Sequence, residues 1–235
     1  PDLPTQEAVA DVLGALDDKI AANDRVVKQS DELSRAVLTD AVRGIGRVSL
    51  GELAALRRGM VTPGAGDVWH FSLPAFDDGV LPKLEPGAEI KSGKQLLEAP
   101  TVLLSKLNPR IPRVWDVASV PVGRPALAST EFLALEPQGG STSVLAAALG
   151  LPSSLEDLQS LARGTSGSHQ RVAPGDALAV MVPDVRELPS ATRDLLTTLG
   201  LGRQQRRLEA RSLAATRDAL LPELMSGRLA VSSAS

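Results

Sequence analysis

The tightest constraint on this chain lies at its two ends. Near the N-terminus apolar side chains step by four and three through Val9, Leu13, Leu16 and Ile20, skip Asn23, resume at Val27 and skip Ser30. That spacing places one narrow apolar stripe on a helix, a coiled-coil seam with two polar interruptions. Pro4 and Thr5 supply a start signal, with Thr5 as N-cap. A helix from about 5 to 40 would be roughly 50 Å long at 1.5 Å per residue. A helix of that length with so narrow a stripe is a pairing element rather than a core helix.

The C-terminal end repeats the pattern. Displacing the first segment by 183 positions puts Leu13 on Leu196, Leu16 on Leu199, Ser30 on Leu213, and the "AVL" at 36–38 on the "ALL" at 219–221, which includes Leu220. Each copy follows a Leu-Pro pair, Leu3-Pro4 and Leu188-Pro189. Two copies around a different block do not make a solenoid, which needs several. They read as equivalent helices flanking a domain. Residues 1–40 carry four basic and nine acidic groups, a net of −5, and residues 186–235 carry eight and five, a net of +3. Opposite charge predicts that the helices pack on each other, antiparallel if the intervening domain sends the chain out and back. The departure is "LGLGR" at 199–203, where two glycines weaken a helix interior by about 1 kcal/mol each. A bend there, or a helix beginning near Arg203, is the expectation.

Between the ends, prolines and glycines punctuate short apolar runs: "RVSLGELA", "TVLLSKL", "WDVASVPV", "EFLAL" and "ALAVMVPD". These predict short strands separated by turns. Short helices are expected at about 49–56, at 141–149 with Ser141 as cap, and at 153–162 capped by Ser153 or Ser154. The fold class is therefore α+β, one mixed α/β globular domain flanked by two long helices that pair as an antiparallel coiled coil. The expected division is 1–41 for the first helix, 42–187 for the globular domain and 188–235 for the second helix and tail.

Composition removes several function classes. The absence of cysteine excludes a disulfide scaffold and thiolate metal sites, and suits a reducing cytoplasm, the expected location. No apolar run approaches the roughly 20 residues of a membrane helix, and no signal peptide opens the chain. Aromatics are 2% with no tyrosine, too few for base-stacking platforms.

Asp78, Glu89 and Lys91, in "FDDGVLPKLEPGAEIK", imitate the carboxylate–carboxylate–lysine set of metal-dependent nucleases. In that motif the residues sit on adjacent hairpin strands, whereas here Pro82, Pro86 and Gly87 fill the gap. His70 and His169 are far apart and have no clustered partners, so no metal site is expected. "GTSGS" at 164–168 lacks the spacing of a nucleophile elbow, and "GIG" and "GAG" do not make a dinucleotide fingerprint. Nor is there an Asn/Asp-Pro-Pro-aromatic segment of an amino-methyltransferase. The chain alone is not expected to be an enzyme.

Binding chemistry remains. "SKLNPRIPRV" offers Ser105, Lys106, Asn108, Arg110 and Arg113 around two prolines. "RGTSGSHQRV" offers Thr165, Ser166, Ser168, His169, Gln170 and Arg171 on a glycine-rich loop. Arginine and lysine read guanine edges, asparagine and glutamine read adenine, and small hydroxyls position phosphates. The plainer alternative is that the arginines form surface ion pairs and that Gly164 and Gly167 make turns. Two such loops in one domain weigh toward nucleic acid, and a near-neutral domain can still read sequence when a larger assembly supplies electrostatic grip.

The ordered set of motifs resembles a known family. "HFSLPAFDDGVLPKLEPGAEIKSGKQLLEAPTVLLSKLNPRIPRVW" (70–115) resembles a target recognition domain of the specificity subunits of type I restriction–modification systems. "STEFLALEP" (129–137) and "GTSGSHQRV" followed by "MVPD" (164–184) match later landmarks of that domain. "LPTQEAVADVLGALDDKIAANDRVV" (3–27) and "SLAATRDALLPELMSGRLAV" (212–231) resemble the family's spacer helices. The resemblance absorbs Asp78, Glu89 and Lys91 into the recognition-domain pattern and implies a non-catalytic reader of double-stranded DNA that directs adenine methylation and restriction. It implies methyltransferase and restriction/translocase subunits as partners, with S-adenosylmethionine, ATP and Mg²⁺ belonging to them and no cofactor to this chain. Base readout is expected from the 105–113 and 164–171 loops, with Lys91 and Lys94 on phosphates and His70 in the DNA-facing set. Helix pairing is expected through Leu13, Leu16, Ile20 and Val27 with Leu196, Leu199, Leu213 and Leu220. One recognition domain is half of a full subunit, so self-pairing of half-subunits on an interrupted palindrome, or membership of a longer polypeptide, is expected. The alternative from another class is a protein–protein adaptor whose recognition-like domain no longer binds DNA.

Overall fold

The computed structural model describes residues 2–57, 59–162 and 170–229. The N-terminal stripe forms helix α1 (Leu3–Ala41) and the C-terminal one forms α7 (Ser190–Met225). Asp2, not Thr5, caps α1. The Thr5 N–H donates to Asp2 Oδ1 at 3.1 Å, the Thr5 hydroxyl bonds the same oxygen, and Gln6 N–H reaches Asp2 O at 2.9 Å. Aspartate caps at least as well as threonine, so the helix begins as early as an acceptor allows.

The chain divides into two units, Pro1–Ser30 with Gln205–Ser235, and Asp31–Gln204. In the first unit α1 and α7 run antiparallel. Asp17 meets Arg217 Nη1 at 2.7 Å and Lys19 meets Glu209 at 3.6 Å, so partner numbers fall as α1 numbers rise. Val9, Asn23 and Val27 are buried with Ala210 and Leu224, while Leu13, Leu16, Ile20, Leu213 and Leu220 are half-buried. The stripe is the covered face of α1, and its polar Asn23 is more deeply buried than Leu13, Leu16 and Ile20 beside it.

The second unit is layered. A four-stranded sheet holds β2 (Ala54–Leu56), β7 (Thr101–Ser105), β8 (Val114–Val117) and β10 (Phe132–Pro137), in the order β2-β10-β7-β8. Alternate residues of its inner strands enter different cores. Val102, Leu104, Leu133 and Leu135 pack with helices α4 (Thr142–Leu149) and α5 (Pro152–Ser160) and with Leu38 and Leu196. Leu103, Phe132, Ala134, Trp115 and Val117 pack on the other side with Phe71, Leu97, Ala126 and Ala128. The latter four belong to a second, five-stranded sheet. It is built from β3 (Met60–Val61), β4 (Asp67–Phe71), β5 (Lys83–Pro86), β6 (Lys94–Leu97) and β9 (Ala126–Ala128), in the order β3-β6-β9-β4-β5. β7 is covered on both faces, which is why "TVLLS" is apolar without alternation. All three phenylalanines gather on Trp115, with ring centroids 4.9 Å away for Phe71, 5.6 Å for Phe76 and 6.1 Å for Phe132. The scarce aromatics therefore serve the core.

A third pairing joins β1 (Arg47–Ser49) to β11 (Met181–Pro183). Three local expectations change. The helix expected at 49–56 ends as α2 (Leu50–Leu53), and Ala54–Leu56 becomes β2 because the β10 edge offers Leu135–Pro137 for pairing. Helix α5 starts on Pro152, whose fixed φ and missing N–H suit a first turn, so neither Ser153 nor Ser154 caps it. Of the run "ALAVMVPD", residues 177 and 178 close the short helix α6 (Pro174–Leu178), and only Met181–Pro183 is strand. Ser141 does cap α4, accepting from Val144 N–H at 3.4 Å.

Helix α7 neither breaks at "LGLGR" nor starts late. Gly200 is where its backbone touches α4 and β8: a Cβ there would lie 2.0 Å from Ser143 Oγ, 2.5 Å from Ser143 Cβ and 2.6 Å from Asp116 Oδ2. Three residues on, buried Arg203 reaches Asp31 at 3.1 Å, Ser34 Oγ at 2.7 Å and Asp116 at 3.7 Å. The glycine is a contact, and the helical hydrogen bonds continue through it.

Candidate nucleic-acid interface

The rigid loop after β7 is pinned at both ends and in the middle. Ser105 N–H donates to Arg113 O at 2.9 Å, closing the loop's base. Ser105 is buried, and its Oγ donates to Leu107 O at 3.0 Å and accepts from Leu107 N–H at 3.2 Å, so this hydroxyl serves its own turn. Asn108 adopts φ +50°, a left-handed conformation that asparagine tolerates better than most residues, and Ile111 N–H donates to Asn108 O at 2.9 Å. Pro109 and Pro112 fix φ on either side of Arg110 and Ile111.

Tertiary structure joins this loop to the start of residues 170–172. Asn108 N–H donates to Gln170 O at 2.8 Å, Val172 N–H donates to Lys106 O at 3.0 Å, and Leu107 bridges antiparallel to Arg171. Lys106 N–H donates to Glu131 O at 2.9 Å, and Arg171 Nη2 meets Glu131 Oε1 at 3.0 Å. The 105–113 loop and residues 170–172 thus share one hydrogen-bonded edge. Thr165, Ser166, Ser168 and His169 lie outside the described residues.

On the other side of the loop stands helix α3 (Leu73–Asp77), capped by Ser72, whose Oγ accepts from Ala75 N–H. Its last residue, Asp77, receives a forked contact: Arg113 Nε to Oδ1 at 2.7 Å and Nη2 to Oδ2 at 2.9 Å. That fork, chiefly through hydrogen bonding, holds the Asp77 carboxyl below the usual carboxylate range and raises Arg113 above its ordinary value. Asp78 pairs with Lys83 at 2.8 Å, and their hydrogen bond lowers the carboxyl and raises the amine in the same way. The turn between them carries Gly79 at φ +124° and Val80 at φ +59°, a costly conformation for a β-branched side chain. Val80 and Asn108 are the positive-φ non-glycine residues among those described, and both sit at this end of the domain.

The cations therefore divide. Arg110 is exposed at the loop tip with no ion pair among the described residues, Lys106 is half-buried, and Lys91 is exposed. Arg113 is occupied by Asp77, so its guanidinium shapes the loop instead of standing free. Lys94, expected on phosphates, is buried because β6 is paired on both edges; its Nζ donates to Ser92 O at 3.1 Å and Ser92 Oγ at 2.6 Å. Burial lowers its pKa, against a smaller opposing pull from Glu85. His70, on β4, is likewise withdrawn: Nδ1 lies 2.9 Å from Glu85 Oε2 and Nε2 is buried. Asp77, Glu131 and Glu85 were missed from sequence because each partner lies fifteen or more residues away, with nothing local to mark it. Among the described residues no three His, Cys, Asp or Glu side chains group to hold a metal ion, and Asp78 is engaged by Lys83.

No family model matches the chain, and no curated protein matches it. Its fold is that of a type I specificity subunit. The crystal structure of the type I restriction-modification system S subunit from M. genitalium matches 95% of this chain with a TM-score of 0.61 and 16% sequence identity. This chain spans 61% of that one, and at such identity the likeness is one of fold. No helix among the described residues is long and apolar enough to cross a membrane.

Proposed function

We propose that this chain reads double-stranded DNA sequence as the specificity component of a type I restriction–modification system. The observation that carries the reading is the joined edge of residues 105–113 and 170–172, which presents Arg110 on a backbone fixed from three sides. Base readout requires side chains held at a set register, and prolines, a left-handed Asn108 and the Asp77–Arg113 fork supply it. The fold shared with a type I S subunit supports the same reading. In this proposal residues 42–187 form the recognition domain, while 1–41 and 188–235 act as spacer and dock a methyltransferase subunit. Two copies of the chain read an interrupted palindrome. Chemistry, with S-adenosylmethionine, ATP and Mg²⁺, belongs to methyltransferase and restriction/translocase partners.

The test is selection of bound sequences from a random duplex pool by the full chain, with affinity followed against salt. A selected motif and an affinity falling with salt are expected. Arg110→Ala and His169→Ala, mapped by methylation with the partner methyltransferase, should each alter the preferred site. Partner binding without salt-dependent DNA affinity would make the chain an adaptor and refute the proposal.

A further inference from the structure

Beside Arg110, the loop tip exposes a large apolar side chain: Ile111 is 55% accessible. Isolated exposed apolar residues are ordinary on protein surfaces. This one differs in how it is held. Its own N–H is bonded to Asn108 O at 2.9 Å, and Pro112 follows it. Ile111 O lies 3.5 Å from Arg113 Nη1, while the same guanidinium is fixed on Asp77. Asn108 in turn is tied to Gln170 O at 2.8 Å. A β-branched side chain is also stiff at χ1. The backbone is therefore ordered before any partner arrives, the side chain has one restricted torsion fewer to fix, and little further backbone entropy would be lost on contact.

We propose that Ile111 is a specificity-determining residue that packs on the C5-methyl group of a thymine in the major groove, next to a contact made by Arg110. The inference rests on the DNA-reading role proposed above and deepens it. Thymine is the base whose major-groove edge carries a methyl group, and an apolar side chain is the partner that distinguishes it. An exposed branched hydrocarbon flanked by a guanidinium suits such an edge, where polar and apolar atoms lie side by side. The division of labour follows from the geometry. Arg113, turned onto Asp77, sets the loop, and Arg110 and Ile111 are left to face outward.

The experiment uses the full chain and the site it selects from a random duplex pool. Each thymine of that site is replaced singly by deoxyuridine, which deletes only the methyl. With the wild-type chain one replacement should weaken binding about fourfold, the value of one buried methyl. Ile111→Ala should select the same site with that position relaxed and should bind the thymine and deoxyuridine duplexes equally. Ile111→Val should keep most of the preference. Val122, 91% accessible in the connection between β8 and β9, is the control, and Val122→Ala should leave the site unchanged. Should Ile111→Ala fail to fold, the deoxyuridine scan of the wild type and the Ile111→Val chain still decide. The proposal is overturned if every thymine can be replaced without loss, or if the sensitive position stays sensitive in Ile111→Ala. DNA bending by the loop without methyl sensitivity, the mark of a minor-groove wedge, overturns it as well. If the wild-type chain selects no site, the DNA-reading role itself falls, a result distinct from all of these.

Discussion

Glycines 200 and 202 are two residues apart in one helix and should respond to alanine with opposite sign. Replacing a helix-interior glycine by alanine ordinarily stabilises by about 1 kcal/mol, through backbone entropy and propensity. At Gly202 nothing lies within 4 Å of the new Cβ, so the full gain is expected. For a protein of this size that raises Tm by about 2–4 °C. At Gly200 the new Cβ meets Ser143 Oγ at 2.0 Å, Ser143 Cβ at 2.5 Å and Asp116 Oδ2 at 2.6 Å. The hydroxyl can rotate away, but Ser143 Cβ is fixed to the α4 backbone, and Asp116 is the partner of buried Arg203. Either α4 shifts or the Arg203 network opens. Overpacking of this kind costs about 3 kcal/mol, which exceeds the propensity gain and leaves a loss of about 2 kcal/mol. Thermal or urea unfolding of the two single variants measures both. Ser143→Ala in the Gly200→Ala background should recover part of the loss, since it removes the 2.0 Å contact but not the 2.5 Å one. Equal stabilisation by the two alanines would show that Gly200 is not a contact and that the packing of α7 on α4 and β8 is wrong.

Asp184 is buried and accepts from Arg186 Nε and Nη2, each at 2.7 Å, and that hydrogen bonding holds its carboxyl below the usual carboxylate range. A depressed folded pKa stabilises above the unfolded value of about 3.9 and loses that contribution as pH falls through the folded one. Asp184→Asn should therefore cost about 1–2 kcal/mol at neutral pH and nothing in strong acid, as read from denaturant midpoints across pH. Asp77→Asn should loosen the candidate reading loop: exchange of the Ser105 and Ile111 amides should quicken about fivefold while the β7 amides of Leu103 and Leu104 do not change. In the helix pair, a double-mutant cycle on Asp17 and Arg217 should give a weak favourable coupling that shrinks in high salt, because both groups are partly exposed.

Features governed by local chemistry could be read directly. The stripe through Val9, Leu13, Leu16, Ile20 and Val27 is the buried or half-buried face of α1, including its polar interruption at Asn23. "TVLLS" is a strand covered on both faces, and Ser141 is a cap. Local signals failed where two were in competition. Thr5 is a good cap, but Asp2 reaches the same donors, and "ELAAL" has the composition of a helix, yet its second half is drawn into strand pairing with β10.

The candidate site shows the same division more sharply. Sequence determined that residues 105–113 form a stiff loop with cations, because proline fixes φ wherever it stands. It also determined the composition of the 163–172 segment. It could not determine which cations are already paired, since Arg113 finds Asp77 thirty-six positions earlier and Arg171 finds Glu131 forty positions earlier. Nor could it show that Lys94 and His70 turn inward, which depends on strands β6 and β4 lying inside a five-stranded sheet. Gly200 is the clearest case. In sequence it is a helix breaker, and only the approach of α4 and β8 makes it a contact that no side chain could occupy. Propensity belongs to a residue and its neighbours, whereas steric room and ion pairing belong to whichever distant segments the fold brings alongside.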